Sequence, residues 1–287
     1  MSAPPLRTAL SDTYPNPSNS IMRTGMGALW DWLTSKLGDS GSAGNRNAIH
    51  NGGFTVNQRG VASGVSLAAG AFGHDRWKAG ASGCTYTYAV SAGVTTVTIT
   101  AGTLIQVIDG AYLRSGNYVL SWTGTALGKI GASFLASGII ATAVGGTNMA
   151  AEFGVGTLTS VQFEPGTIPT AFEVKDERPT CQRYLPAIAM ATAGTCGTGV
   201  FFSGTAFNLV VPFQVKARVA PTGVTLSTSN AFTIITAGVA NICSAIAFNA
   251  ASDSAAELNL TVTGTAGDAG VARATGAISI LFTGAEL

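Results

Sequence analysis

The residues that could carry catalytic chemistry are few and lie far apart in the sequence. The stretch GDSGS (38–42) places a serine between glycines, as the nucleophilic serines of many hydrolases are placed. It lies in a run of Gly and Ser, however, and such a segment cannot hold a serine, a histidine and an acid in a fixed geometry. The two histidines, His50 and His74, have no nucleophile or further metal ligand near them, and we expect both in loops or at the surface.

The acidic residues show no pairing that would mark a glycosidase. Glu152 and Glu164 lie on either side of a glycine-rich turn, and nothing identifies them as an acid and a nucleophile. Residues 181–287 contain only four acids: Asp253, Glu257, Asp268 and Glu286. A glycine-rich phosphate loop followed by a helix is also missing from the sequence. We therefore predict that the protein is not an enzyme.

The four cysteines, Cys84, Cys181, Cys196 and Cys243, are scattered and form no CxxC pair. This spacing argues against zinc and redox motifs, and we expect four buried thiols. A Cys181–Cys196 disulfide is the alternative, which a reducing compartment would disfavour.

The composition excludes several classes of partner. Charged residues make up 10% of the chain and the net charge is +1, so no basic surface for nucleic acid is expected. No run of about 18 apolar residues could span a membrane as a helix. The first ten residues lack the apolar core of a secretory signal, and we expect the chain to fold in a cytoplasm. So little charge with 46% hydrophobic residues favours compact β-structure that hides surface in an oligomer.

The N-terminal part predicts an extended arm (1–18), a short helix and a flexible Gly/Ser linker (38–47). In the helix, apolar side chains recur every three to four residues: Met22, Met26, Leu29, Trp30 and Leu33. An isolated helix of this length is marginal in water, so the apolar stripe should pack on something else. A second copy or another protein is one alternative, and the next domain of the same chain is the other.

From residue 48 onward the hydrophobic period changes to two. Short runs rich in Val, Ile, Thr and aromatic residues, such as YVLSWTG (118–124) and FNLVVPFQV (207–215), alternate with Gly, Asn and Ser. Two such sets flank the charge-rich stretch 161–184, which has the character of a border. Many short strands with a turn signal about every ten residues predict sandwich or jelly-roll domains.

Several stretches resemble, in order and spacing, a carbohydrate-binding-module-like jelly roll that occurs in phage tail fibres and other tail structural proteins. They are NAIHNGGFTVNQRG (47–60), FGHDRWKAG (72–80), LSWTG (120–124), VQFEPGTIPTAFEV (161–174) and the continuation from Phe172 to Tyr184. The closing GAEL (284–287) is similar to the end of many C-terminal tips of such fibres, whereas residues 1–46 match no pattern.

The resemblance implies an all-β fold: two consecutive β-sandwich or jelly-roll domains preceded by an extended arm and a short N-terminal helix. The implied parts are a virion-attachment segment (1–46), the jelly roll (47–180) and a β-sandwich tip that binds a receptor (181–287). The function implied is that of a structural tail fibre component of a virion, assembled in the host cytoplasm. Its implied partners are a baseplate or adaptor protein, bacterial surface polysaccharide, and further copies of the chain in a homotrimer.

Two groups of residues are candidate sites. In the jelly roll, Arg59, Asp75, Arg76, Trp77 and Glu164 are expected to form a structural network, with Glu164 paired to Arg59 or Arg76. In the tip, loops 248–257 and 265–274 offer candidate glycan contacts: Asn249, Ser252, Asp253 and Asp268. A structural Ca²⁺ held by Asp75 or Glu164 would suit such a jelly roll, but no motif supports it and no cofactor is predicted.

Other functions would leave different signs in the sequence. A lectin acting alone or beside an enzyme would need a route out of the cell, and the start of the chain shows no signal peptide. A polysaccharide depolymerase would be expected to show long β-helical repeats and clustered acids. A purely structural tail protein that never touches the host is not separated from an adhesin by the sequence.

Overall fold

The computed structural model describes residues 46–228 and 231–287, and this part of the chain is almost entirely β-structure. The all-β prediction is therefore confirmed, with about 51% of residues in strands and 4% in helices. The predicted arm and N-terminal helix, with Met22, Met26, Leu29, Trp30 and Leu33, lie outside the described residues. Within the described ranges no helix is long and apolar enough to cross a membrane.

The first domain contains eight strands and one 3₁₀ turn (Gly110–Tyr112). The strands are β1 (Ser66–Leu67), β2 (Lys78–Ser91), β3 (Val94–Ile108), β4 (Gly116–Thr123), β5 (Gly128–Lys129), β6 (Ile139–Ala143), β7 (Met149–Phe153) and β8 (Gly156–Pro165). They are hydrogen-bonded in the order β1-β2-β3-β8-β4-β6, and β7 pairs with both β3 and β5. Strand β3 pairs with β8 through its first half and with β7 through its second half, so the sheet folds over one core.

The runs VTTVTIT and TLIQVI, which the sequence separates at a glycine, form the single long strand β3. The pairing of β2 with β3 shifts register just before Cys84, which pairs with Gly102 (φ 70°) and follows Gly83 (φ 82°). A Cβ atom at residue 102 would overlap the carbonyl of residue 83, so only glycine allows this approach. The break in the pattern therefore marks an irregularity within one strand rather than the end of a strand.

A short helix, α1 (Arg178–Tyr184), leads into the second domain, the tip. Its strands are β9 (Ala187–Met190), β10 (Thr195–Ser203), β11 (Ala206–Pro212), β12 (Gly223–Leu226), β13 (Phe232–Thr236), β14 (Val239–Ile242), β15 (Ala245–Ala251), β16 (Ala255–Thr261), β17 (Ala269–Ala274) and β18 (Ile278–Thr283). A seven-stranded sheet, β14-β13-β17-β10-β11-β16-β15, packs on a three-stranded sheet, β12-β18-β9. Inward-facing side chains of both sheets, such as Leu209 and Ile280, are fully buried between them.

Strand β17 corrects the expectation that residues 265–274 form a loop. It lies in the middle of the seven-stranded sheet, between β13 and β10. Its inward side chains are small: Gly270, Ala272 and Ala274. A Cβ at residue 270 would crowd Thr236 at 2.8 Å, so this strand must carry small residues and lacks a strong hydrophobic signal.

Candidate functional site

The first domain has a polar groove of about 220 Å³ on the outer side of strands β4 and β8. Its lining residues are uncharged and mostly carry hydroxyl groups: Ser121, Trp122, Thr123, Ser137, Ser160, Gln162, Pro169, Thr170 and Phe172. We call this surface the hydroxyl groove. It gathers residues from three separate parts of the sequence, two of them within stretches that resemble the tail-fibre jelly roll.

A β-bulge creates the floor of the groove. In the pairing of β4 with β8, Thr123 lies opposite Thr159 and Ser121 opposite Gln162, so one residue of β4 faces two residues of β8. One of these two is Ser160, which has φ 53°, in the left-handed region that residues other than glycine seldom adopt. The bulge turns this serine out of the regular pleat and into the groove.

The turn after Asn51 supports the groove from behind. Here the positive φ angles belong to Asn51 and Phe54, not to the two glycines between them. The glycines are needed for close approach instead, because a Cβ on Gly52 would overlap the carbonyl oxygen of Val161. The amide of Val161, in the bulge, donates to the Gly52 carbonyl at 2.9 Å. The aromatic ring of Phe172 packs on this glycine backbone and closes one side of the groove.

A buried carboxylate fixes the other side of the groove. Glu164 is fully buried and accepts hydrogen bonds at 2.7 Å from the amide and the hydroxyl of Thr170 and from the Gln162 side chain. Its ionic partner is Arg46, at 2.9 Å, rather than Arg59 or Arg76 as the sequence suggested. Because both oxygens of Glu164 are occupied, this residue serves as a support for Thr170 and Gln162.

Three hydroxyl groups of the groove remain available to a ligand. Within the described residues, the side-chain oxygens of Ser121, Thr123 and Ser160 make no hydrogen bond, whereas that of Ser137 accepts from the Trp122 amide at 2.9 Å. Free hydroxyls beside the apolar surfaces of Pro169 and Phe172 are suited to a neutral ligand that presents both hydroxyl groups and a C–H face.

The remaining residues of the expected jelly-roll network lie at the junction between the two domains. Arg59 pairs with Glu286, near the end of the tip, and not with an acid of its own domain. Burial raises the pKa of Glu286, and the neighbouring Arg59 opposes this shift. The Asp75 carboxylate accepts from the Gln58 amide at 2.8 Å and from the Gln58 side chain, and burial raises the pKa of this acid too. Gln58 also donates to the Leu185 carbonyl at 3.2 Å, so this network crosses the junction.

Arg76 and Trp77 have different roles although they are adjacent. Trp77 is fully buried in the core of the first domain, and its indole N–H donates to the Asn51 carbonyl at 2.9 Å. Arg76, at φ 73°, is buried at the junction and places its guanidinium 3.6 Å from the centre of the Tyr184 ring. The Tyr184 hydroxyl donates to Asp109 at 2.8 Å. A cation–π contact between helix α1 and the first domain therefore fixes the two domains to each other.

Both histidines are buried, which contradicts the expectation that they lie at the surface. His50 is 1% exposed and packs edge-on against Tyr112 near the junction. Burial, with the nearby charge of Arg76, lowers the pKa of His50 well below its usual value. His74 is 2% exposed, and its Nδ1 lies 2.9 Å from the Tyr86 hydroxyl. Neither histidine lies in the hydroxyl groove.

The candidate glycan contacts of the tip are not brought together. Ser252 and Asp253 form the turn between β15 and β16, and Asp253 is paired with Lys216 at 2.9 Å. The adjoining Arg218 amide donates to the Arg183 carbonyl of helix α1, so this turn lies at the end of the tip that faces the first domain. Asp268 lies at the other end of the seven-residue strand β16, about 20 Å away.

Asn249 faces the outer side of the seven-stranded sheet, where it donates to Glu257. Glu257 also accepts from Asn208 at 3.0 Å, so Asn249 belongs to a side-chain network on a strand and not to a loop.

The end of the tip that points away from the first domain is formed by the turn 203–205 and the loop 262–268. Asp268 is the one charged residue of these two segments. Phe202 stands beside them at a bulge in the β10–β11 pairing and is 77% exposed. Its neighbours Phe201 and Phe207, in contrast, are fully buried in the core of the tip.

The cysteines are all free thiols, so the alternative Cys181–Cys196 disulfide is not formed. Burial raises the pKa of Cys84 to about 11 and that of Cys196 to about 12, which leaves the thiols protonated and unreactive. Among residues 46–228 and 231–287, no group of three or more His, Cys, Asp or Glu side chains could hold a metal ion.

Comparison with known proteins adds no relative to these observations. No protein-family model matches the chain, and a search of curated proteins found no similar one.

Proposed function

We propose that this protein is a structural component of a bacteriophage tail fibre and that it binds a neutral saccharide of the host surface. The hydroxyl groove is the observation that carries the binding part of this proposal. The end of the tip that points away from the first domain, with Phe202 and Asp268, is a second contact surface for the same glycan layer.

The chemistry of the groove favours a saccharide over other ligands. A neutral sugar offers hydroxyl groups for the free oxygens of Ser121, Thr123 and Ser160. Its C–H face can lie against the ring of Phe172, which is held in place by the glycine turn behind it. None of the nine lining residues is charged, so a phosphate or a strongly acidic polymer would find no counter-charge in the groove.

The tip contributes in a different way. An exposed aromatic ring on a rigid strand is a suitable surface for stacking a pyranose, and a bulge such as that at Phe202 commonly re-aims a side chain. Asp268 lies on the loop next to this bulge, since its carbonyl accepts from the Phe201 amide at 2.9 Å. Among the four tip residues suggested by the sequence, Asp268 is the one placed at the outward-facing end.

The assignment to a tail fibre is supported by the order of the motifs in residues 47–184 and by the domain junction. Two contacts hold the two domains together: Arg59 with Glu286 and Arg76 with Tyr184. A fibre that extends from virion to host requires its domains to be fixed to each other in this way. In this proposal residues 1–46 attach to a baseplate or adaptor protein, and the chains form a homotrimer that assembles in the host cytoplasm. Antibody labelling of tails in virions purified from a lysate is the corresponding test.

A purely structural tail protein is the main alternative. Such a protein would need the domain junction, whereas substitutions in the groove would leave its function unchanged. The three free hydroxyls favour a binding role, and the left-handed backbone of Ser160 directs one of them into the groove.

The test of binding uses the labelled full-length protein, mixed with host bacteria whose surface glycans are intact or oxidised by periodate. The groove variant Ser121→Ala/Thr123→Val removes two free hydroxyls with little change in shape. Its control is Thr98→Val, which makes the same threonine-to-valine change on β3, outside the groove. A tip variant, Phe202→Ala/Asp268→Asn, is measured in parallel.

We expect binding to disappear after periodate treatment, to fall at least tenfold in the groove variant and to be unchanged in the control. Loss in the tip variant alone would move the site to the tip. Binding that survives both oxidation and the two variants would refute saccharide recognition by either surface.

A further inference from the structure

The outer face of the seven-stranded sheet of the tip has more exposed apolar surface than a solvent-facing sheet normally carries. Its apolar side chains include Val200 (42% exposed), Val210 (50%) and Ile242 (69%), in addition to Phe202. The opposite face of this sheet is covered by the three-stranded sheet, whereas nothing among the described residues covers the outer face. Contiguous apolar patches on β-structure usually mark an interaction surface.

The pairing register shows that these side chains are neighbours. Val200 on β10 pairs with Asn208 on β11, which makes Val210 its diagonal neighbour on the same face. On the other side, Val200 pairs with Ala269 of β17, so Val271 is the next diagonal neighbour.

The row continues to the edge of the sheet. Val271 lies directly opposite Ile235 of β13. Ile235 pairs with Ala240 of β14, and Ile242 is therefore the next diagonal neighbour. Five branched apolar side chains thus cross five adjacent strands, and we call this row the apolar stripe: Val210, Val200, Val271, Ile235 and Ile242.

Two opposite charges lie beside the apolar stripe. At one end Glu257 lies directly beside Val210, held by amide hydrogen bonds from Asn208 and Asn249. On β17, the middle strand of the row, Arg273 lies two residues after Val271 and pairs across the sheet with Thr233. These two are the only charged residues in the seven strands of this sheet.

The face also has the area that a stable association requires. Seven strands at about 4.8 Å spacing and about 20 Å length give roughly 700 Å². A standard protein interface buries about 800 Å² on each partner, with an apolar core and a polar rim. The apolar stripe and its flanking Asn, Glu and Arg side chains have this arrangement.

We propose that the apolar stripe packs against the apolar stripe of a second copy of this chain, with Arg273 of one copy next to Glu257 of the other. The opposite charges beside the stripe, three strand spacings apart, make the face complementary to itself, which favours another copy over an unrelated partner. Because both copies use the same face, such pairing closes a two-fold pair, which joins two chains or two of the proposed trimers. It adds a defined surface to the proposed homo-oligomer and does not depend on saccharide binding by the groove.

The test is a covalent link between copies of the full-length protein. The variant Arg273→Cys/Glu257→Cys is treated with a mild thiol oxidant and analysed on a denaturing, non-reducing gel. Within one chain these positions are three strand spacings apart, about 14 Å or more, which is too far for a disulfide. The native cysteines are free and largely buried, and the untreated wild type reports any background.

We expect more than half of the double variant to form linked dimers that a reducing agent separates. The single variants should stay unlinked, as should the control Val144→Cys/Val155→Cys, whose valines are equally exposed on the first domain. Light scattering on Val200→Lys/Val210→Lys should show a smaller particle or an increased dissociation constant. A folded double variant that stays unlinked, or a wild type that is monomeric at micromolar concentration, would overturn the proposal.

Discussion

Lowering the pH should destabilise the first domain through His74, and the size of the effect can be worked out from its surroundings. The ring is 2% exposed, and it meets Phe54 and Tyr88 edge-on. Its Nδ1 lies 2.9 Å from the hydroxyl of Tyr86, and burial lowers the pKa of His74 to about 4. A charged imidazolium would gain no acid to pair with among these aromatic neighbours.

The sign of the effect follows from which state binds the proton. In the unfolded chain the pKa of His74 is about 6.5, so between about pH 6.5 and about pH 4 the unfolded state is protonated and the folded state is not. The contribution of His74 is therefore fully present above about pH 6.5 and is lost as the pH falls toward about 4. A difference of about 2.5 pKa units corresponds to about 3 kcal/mol, of which roughly 2–3 kcal/mol is lost by about pH 4.5.

The assay compares wild type with His74→Gln and His74→Phe. Urea unfolding is followed by tryptophan fluorescence, since the tip has no tryptophan and Trp77 is buried in the first domain. Both variants should be less stable near neutral pH, yet lose about 2–3 kcal/mol less than wild type between about pH 7.5 and about pH 4.5. The buried acids Asp75 and Glu286, with raised pKa values, stabilise the folded state as the pH falls and act equally in all three proteins. Equal losses in the three proteins would refute the reasoning.

Three further changes test the junction, the turn and the groove. Tyr184→Ala removes a fully buried ring that stacks on Arg76, so we expect the free energy of unfolding to fall by about 3–5 kcal/mol. We also expect two calorimetric transitions where wild type shows one. A single transition would contradict the role of this contact in fixing the two domains to each other. Gly52→Ala forces a Cβ against the Val161 carbonyl and should lower the free energy of unfolding, measured by thermal unfolding, by about 1–3 kcal/mol. In Gly53→Ala the nearest neighbour of the new Cβ is 3.6 Å away, so the free energy of unfolding should change by less than about 1 kcal/mol. Ser160→Gly relieves a left-handed backbone and should raise the melting temperature slightly or leave it unchanged. The affinity for saccharide should fall, because the hydroxyl is lost. A clear drop in melting temperature would mean that the serine holds the bulge together.

The strands were predictable because their patterns are local. YVLSWTG and FNLVVPFQV are rich in Val, Leu and aromatic residues and are bounded by turn residues, and this signal lies within a few neighbouring positions. The sequence pattern does not predict strand β17. This central strand packs against Thr236 and must use the small residues Gly270 and Ala272, which give no hydrophobic signal. The close packing that requires small residues in this strand is therefore also the reason that its sequence shows no strand pattern.

The partners of charged residues were not predictable in the same way. Arg59 pairs with Glu286, 227 residues later in the sequence, and Glu164 pairs with Arg46 rather than with Arg59 or Arg76. Such contacts depend on how the two domains dock, and no short-range pattern records that. The hydroxyl groove was missed for a related reason, because serines and threonines in a strand look alike whether they face solvent or a bulge. The structural sign of the groove is the bulge, where two residues of β8 lie opposite one residue of β4, and the sequence does not record this pairing.

The charge-rich stretch 161–184, which the sequence presents as a border, builds both the groove and the junction. Its first half supplies Gln162, Thr170 and Phe172 to the groove, and its second half supplies Tyr184 to the docking of the tip. Between them the chain runs back across the N-terminal edge of the first domain, where the Arg46 side chain donates to the Ala171 carbonyl at 3.1 Å. A ligand that orders the groove therefore tightens the same segment that holds the tip. Saccharide binding and domain docking should stabilise each other, because both require one segment of chain to be fixed.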